Sequence, residues 1–324
     1  MPSRNRRQRP VGSLLRSAAE AWTLAILIAV YGLWALLTVV LPDVPLWLSC
    51  PLLVLIVVQF MSLQHEIVHG HPTRLRWLNE ALVSLPLGLL FPYRRYRTLH
   101  LHHHNDENLT DPFDDPESWY FEPGDFARQP APVRWLWRAN ATLLGRLVLG
   151  PVLSVVGLVR MDLRAILRGD RGILWDWVLH LLGVTAVLLI LSLAGFSLLA
   201  YLGFVALPSM SVLMIRSFAE HRASEAKEHR TAIIPDRGLF ALLFLNNNLH
   251  AVHHSHPTVA WYRLPRLFHE QRTHFETANG GYGYRSYFAM IAQHLLRPVN
   301  TVAHPIWHRG NRTVPLERNR DDRG

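Results

Sequence analysis

"HEIVHGH" (65–71) opens with two histidines four residues apart and a glutamate between them. On a helix, positions i and i+4 share a face, so His65 and His69 would present two imidazoles to one point. Two metal chemistries use that spacing. H-E-x-x-H is the signature of a zinc protease, with the glutamate as general base. H-x-x-x-H can equally be one part of a larger site that draws further histidines from elsewhere. The residues around the stretch decide between them, and decide the fold as well.

Directly before it runs "LWLSCPLLVLIVVQFMSL" (46–63), and before that "AAEAWTLAILIAVYGLWALLTVVL" (18–41). At 1.5 Å per residue, such runs approach or exceed the roughly 30 Å of a hydrocarbon core. A second pair lies further on: "ILWDWVLHLLGVTAVLLILSLAG" (173–195) and "FSLLAYLGFVALPSMSVLMI" (196–215). The short links within both pairs lack Lys and Arg. The 64–172 segment, by contrast, holds Arg74, Arg76, Arg94, Arg95, Arg97, Arg128 and Arg134. That bias puts the N-terminus, the 64–172 segment and everything after Ile215 in the cytoplasm.

Two shorter apolar stretches read differently. Ala81–Phe91 is too short to span. Leu147–Val159 contains Gly150 and Pro151 and is flanked by Arg146 and Arg160, so it reads as an interfacial or re-entrant helix. The fold expected is an all-α integral membrane protein with four transmembrane helices in two hairpins. Interfacial helices and a cytoplasmic helical cap would carry the histidines. Residues 1–14 and 310–324 are expected to be disordered tails of a membrane domain over 15–309. The 18–41 run is too long for a signal peptide.

Composition agrees. Hydrophobic residues make up 50% of the chain and charged residues 18%, against about 25% charge in soluble domains. The net charge of +9 is carried almost wholly by arginine, since Lys227 is the only lysine. Lying beside apolar runs, it reads as membrane orientation and not as nucleic-acid binding. Cys50 is the only cysteine. That rules out a disulfide framework, a Cys-ligated zinc and a Cys-ligated iron–sulfur cluster within the chain.

The chain has 19 histidines, and they cluster. "HLHHH" (100–104) and "HAVHH" (250–254) both match H-x-x-H-H and fall on the same expected side as "HEIVH". On helices, His100 shares a face with His103 and His104, and His250 with His253 and His254. His102 projects about 200° away from His100 and is left out. His71 and His256 are additional neighbours, and His180 reads as interfacial. Zinc normally takes four ligands, or three and a water when catalytic. Eight imidazoles exceed that, while two six-coordinate metals could use them all. Imidazole suits iron, zinc and copper alike, so ligand count carries the argument.

Taken together, the paired spans and the three boxes resemble the membrane fatty acid desaturase superfamily, which includes acyl desaturases, carotenoid ketolases and hydroxylases, and hydrocarbon or rhizopine-type oxygenases. The resemblance runs from about Gln64 to Pro265. "NNNLHAVHHSHPTVAWYRLP" (246–265) is similar to the third-box region of the bacterial desaturase and carotenoid ketolase branches. Relatives often add a histidine just after the fourth span, where "SFAEHR" supplies His221. The implied metal ligands are therefore His65, His69, His100, His103, His104, His221, His250, His253 and His254. Ser217 stands where some desaturases hold a metal-linked Asn. Glu66 replaces the Asp of many relatives and keeps a carboxylate able to orient an imidazole. Asn247 is a further candidate beside the third box, although Asn246, Asn247 and Asn248 could simply cap its helix.

The resemblance implies two non-haem irons, with O2 as co-substrate. The expected activity is a fatty acid (acyl lipid) desaturase of a bacterial inner membrane, removing hydrogen from an unactivated C–H bond. A hydroxylase or ketolase of the same fold, acting on a carotenoid, alkane or small metabolite, is the alternative. The chain has no Gly-rich nucleotide fingerprint, haem module or cluster cysteines. Electrons are therefore expected from an external donor, a ferredoxin or similar carrier with its reductase, steered to the basic face.

Two rivals fare worse. An intramembrane zinc protease needs an acidic ligand on a later span, and the fourth span has no carboxylate. A metal transporter would carry ionisable groups within its spans. The loop "NDENLTDPFDDPES" (105–118) reads as an ordered turn covering the site or the surface, and its carboxylates are not read as ligands, because Pro112 and Pro116 break helical register. Tyr93, Arg94, Arg95 and Arg97 read as a membrane anchor or a seat for an anionic head group. Two amphipathic helices, over 262–279 and 284–299, are expected on either side of the turn "GGYGY".

Overall fold

The computed structural model describes residues 21–104 and 106–307. The tails expected to be disordered, and the start of the first span, lie outside them. Among the described residues the chain is helical, with only isolated β-bridges between loops. Helix α1 (Ala21–Ala35) continues through a π-helical turn, Leu36–Val40, and turns back into α2 (Leu46–Val68). Short helices α3 (Arg76–Leu82) and α4 (Tyr93–His103) lead to α5 (Pro123–Arg128), α6 (Ala131–Asn140) and the long α7 (Leu143–Leu167). The second hairpin pairs α8 (Arg171–Leu193) with α9 (Leu198–Tyr201), which passes through the π turn Leu202–Ala206 into α10 (Leu207–Ser217). The remaining helices are α11 (Leu239–Leu243), α12 (His250–Ser255), α13 (Leu264–Glu270), α14 (Arg272–Ala278) and α15 (Tyr287–His294).

The hairpin helices are apolar around their whole circumference, as lipid-facing helices must be. Helix α1 buries only a narrow stripe, including Leu27, Val30 and Trp34, against α2 and leaves Trp22 and Ile28 exposed. Helix α8 starts where Asp170 accepts the Ile173 backbone N–H, and it ends at Gly195, whose φ of +78° suits glycine. The hairpins meet through a buried polar chain. Trp34 Nε1 donates to Tyr201 OH, which donates to Leu87 O, both at 2.8 Å. Such bonds are worth about 1 kcal/mol each but cost more to break one-sidedly, because a buried polar group is left unpaired.

Five helical stretches are long and apolar enough to cross a membrane: Ala21–Val40, Leu46–Val68, Leu143–Leu167, Arg171–Leu193 and Leu198–Ser217. The third corrects the sequence reading, in which Leu147–Val159 was a short stretch. Thr142 caps α7 by accepting from Gly145 N, and the helix runs 25 residues through Pro151. Gly150 permits its close packing on α10, since a Cβ there would lie 2.3 Å from Met214 Sδ. Near one end, Ser211 of α10 donates to Leu147 O at 2.7 Å. Near the other, Asp162 accepts from Arg95 of α4 at 2.7 and 2.9 Å and from Trp177 of α8 at 2.8 Å.

The amphipathic segment 262–279 is also not one helix. It breaks at Gln271 into α13 and α14. Gly280 and Gly281, with φ of +62° and +67°, make the turn before α15.

Candidate metal centre

Helix α2 does not stop at the end of its apolar run. It continues past Leu63, so His65 lies on its last turns and His69 caps its end. Helix α4, entered from Pro92, carries His100 and His103, with His104 at its C-cap. His221 comes just after α10, and its backbone pairs with Thr231 in an isolated bridge. Helix α12 is under two turns long and carries His250, His253 and His254. Tertiary bonds hold this short helix in place: Ala251 N–H donates to Ala232 O and Ile234 N–H donates to Asn248 O.

These elements bring all nine histidines together in two groups. One contains His65, His69, His100, His104 and His253; the other contains His103, His221, His250 and His254. Within each group the candidate ligand nitrogens lie within 4.8 Å of one another. The groups adjoin, since the rings of His104 and His254 stack at 4.2 Å and those of His103 and His104 lie 6.0 Å apart. Other histidines among the described residues point elsewhere. His102 Nε2 meets Asp114 O, His71 lies 3.7 Å from Glu66, His256 packs on Phe275 and His180 meets Leu89 O.

The donor set fits metal cations. His100 Nδ1 meets Glu117 Oε1 at 2.7 Å, His103 Nδ1 meets Asp115 Oδ1 at 2.8 Å, and His250 Nδ1 meets Asn247 Oδ1 at 3.2 Å. A ring that donates through Nδ1 turns the lone pair of Nε2 to the far side. His221 Nε2 then lies 3.0 Å from both His103 Nε2 and His250 Nε2, and His100 Nε2 lies 3.2 Å from His69 and 3.1 Å from His104. So many acceptors facing one another need a cation between them. His65 Nε2 and His253 Nε2 are buried with no hydrogen-bond partner.

The electrostatics agree. Burial, reinforced by neighbouring imidazoles, pushes His69, His104, His221, His250 and His253 down and keeps them neutral. His103 is the exception. Burial opposes its charge, but the Glu117 and Asp115 carboxylates outweigh burial and push the ring up to about 9. Positive charge is favoured at that point. Glu220 shows the opposite balance: burial pushes it up to about 7 against the pull of Arg216.

Asn247 joins this network, donating to Glu220 at 2.9 Å while its oxygen faces His250. The neighbouring asparagines do not cap α12, which has no side-chain cap. Asn246 donates to Trp261 O and Asn248 to Ile234 O and Asp236 O, fixing the loops around the box. Glu66 accepts the Trp261 backbone N–H at 2.9 Å and so ties α2 to the segment after the third box. Asp115, Glu117 and Glu220 were missed by the reading of the sequence. Over residues 107–118 the loop lies against the site, and two of its carboxylates, Asp115 and Glu117, turn inward onto imidazoles.

Beside the second group lies a cavity of about 420 Å³ between α2, α4, α7 and α10. Met61, Leu99, Leu153, Leu158, Met210 and Leu213 give it apolar walls, and His221, Tyr96, Glu117, Arg216 and Glu220 lie along its polar side. That volume falls in the range of small-molecule sites.

Membrane-length apolar helices joined to a buried histidine metal site define a class, that of the integral membrane proteins with histidine-box centres of the diiron type. The model of the fatty acid desaturase family matches residues 42–287, more than half of the chain, and the chain belongs to that family. The comparison with curated proteins returned no match.

Proposed function

We propose that the chain is an O2-dependent fatty acid desaturase that holds two non-haem irons and removes hydrogen from an unactivated C–H bond of a long apolar chain. The observation that carries this reading is the pair of adjoining imidazole groups, of five and four members. Either group fills or exceeds a tetrahedral zinc site. His65 and His69 sit together in the group of five, which counts against a zinc protease built on "HEIVH" alone.

His65, His69, His100, His104 and His253 would hold one ion, and His103, His221, His250 and His254 the other. When bound, the irons supply the O2 activation and the oxidising power. The chain's own residues do the rest. Asp115, Glu117 and Asn247 fix ring tautomer and orientation, a role whose loss typically costs metal affinity or activity. The cavity walls exclude water and hold an apolar chain beside His221.

The same reading gives four crossings, with α7 lying along the interface. Two observations support this. Leu147 meets α10 near its histidine end, while Asp162 meets α4 and the second turn of α8, so the two ends of α7 lie at one level. With five crossings, His103 and His221 would fall on opposite faces, whereas their nitrogens lie 3.0 Å apart. The arginine bias then assigns the boxes to the cytoplasm. Electrons would reach them from a separate carrier such as a ferredoxin with its reductase, docking on that basic face.

The test is metal analysis of the detergent-purified chain, together with lipid profiling of cells expressing wild type or His253→Ala. The expected result is two irons per chain and a desaturated lipid, both lost in the variant. Zinc without iron, or unchanged lipid in the variant, would sink the assignment. An alcohol product would move the enzyme to the hydroxylases of the family.

A further inference from the structure

A second, smaller cavity of about 60 Å³ adjoins the apolar one, sharing Glu117, Ser118, Trp119, Trp137, Ser217 and His221 as walls. Its own wall is formed by Arg146 of α7 with Asn140, Asn300 and Thr301. Arg146 is only 5% exposed. Its Nε donates to Asn140 O at 3.1 Å, and its guanidinium lies 3.7 Å from the ring centroid of Trp119 and 5.7 Å from that of Phe218.

Among the described residues no carboxylate pairs with Arg146, and nothing accepts from its two terminal nitrogens. The other buried arginines differ: Arg95 is paired with Asp162 and Arg216 with Glu220. Asp115 and Glu117 line the same cavity, but they are engaged with His103 and His100. A buried cation without a counter-ion is costly, and stacking on an aromatic ring offsets only part of that cost. Gly150 keeps room for the stem, since a Cβ there would lie 2.9 Å from Arg146 Cδ.

We propose that Arg146 binds the carboxylate of a free fatty acid whose chain lies in the adjoining apolar cavity. The substrate is then the free acid and not an acyl lipid or thioester. This rests on the function proposed above and names its substrate class. A guanidinium fork matches a carboxylate with two parallel hydrogen bonds. Size is compatible, since a cavity of about 60 Å³ beside Arg146 has room for a carboxylate.

The test is equilibrium binding to the full-length, detergent-purified chain. The probes are radiolabelled dodecanoate, methyl dodecanoate, dodecyl phosphate and dodecanoyl-coenzyme A. The expected result is that the acid binds about tenfold or more tighter than its methyl ester, the difference charge-assisted hydrogen bonds supply. In Arg146→Gln this preference falls to near one while ester affinity stays as in wild type, and Arg146→Lys keeps part of it. Equal binding of acid and ester by wild type would overturn the proposal, and so would a preference that survives in Arg146→Gln. Tighter binding of the phosphate or thioester would overturn the choice of a free acid. The wild-type comparison stands even if the variants fail to fold. Binding needs no turnover, so missing iron or product would sink the catalytic reading and leave this result separate.

Discussion

Asp115 uses both carboxylate oxygens: Oδ1 meets His103 Nδ1 at 2.8 Å and Oδ2 accepts the Thr110 backbone N–H at 2.8 Å. It is buried, so its geometry is set on both sides. Asp115→Asn keeps the shape but removes the charge that favours a cation beside His103. Loss of a group that orients a ligating imidazole typically costs about 10–100-fold in metal affinity or activity. Chelator competition against the purified variant should show bound metal leaving at correspondingly lower chelator concentration, and unchanged retention would refute this role. Glu117→Gln is expected to act in the same direction through His100. Eight of the nine histidines were legible because helical spacing alone puts members of each box on one face; His221, which belongs to no box, came only from the family resemblance. The two acids were not, because they lie in an irregular loop where no periodicity relates them to a ring contributed by another element.

Helix α7 is held by partners that an apolar count along the chain does not register. Its Asp162 forms a buried pair with Arg95, their side chains 1% and 8% exposed, and also accepts from Trp177. Asp162→Ala leaves Arg95 charged and unpaired, at a cost of about 3–5 kcal/mol. Thermal unfolding in detergent should show a clear drop for this variant and substantial recovery in Arg95→Met/Asp162→Leu; equal stability of the single variant and wild type would contradict the pairing. Gly150→Leu is expected to push α7 off α10, because even a Cβ meets Met214. Its signature would be a lower melting temperature with the α4 pairing intact. The sequence reading shortened α7 to the residues between Arg146 and Arg160. Those charges looked like boundaries. Arg146 is instead stacked on Trp119 inside the molecule, and α7 runs on past Arg160 through the paired Asp162.

The arrangement of the whole chain in the bilayer can be tested with introduced cysteines, since Cys50 is buried. If α7 lies along the interface, Arg168→Cys should react with a membrane-impermeant maleimide from the histidine-box side and Ser192→Cys from the opposite side. Five crossings would exchange the two outcomes. Arg168 and Ser192 are both exposed, so labelling reports on side and not on burial.

Short-range periodicity and composition were enough for the sequence alone to determine helical spans of membrane length, a one-sided arginine bias, and three histidine boxes too rich for a single zinc. These are properties of neighbouring residues on one helix, and 3.6 residues per turn suffices to read them. Only the tertiary structure decided how nine imidazoles divide into five and four, which carboxylates orient them, how far α7 extends, and where a buried arginine faces a cavity. Each of those depends on contacts between residues from about a dozen to more than a hundred positions apart. Such contacts are set by packing and by the pairing of buried charge, and no local pattern records them.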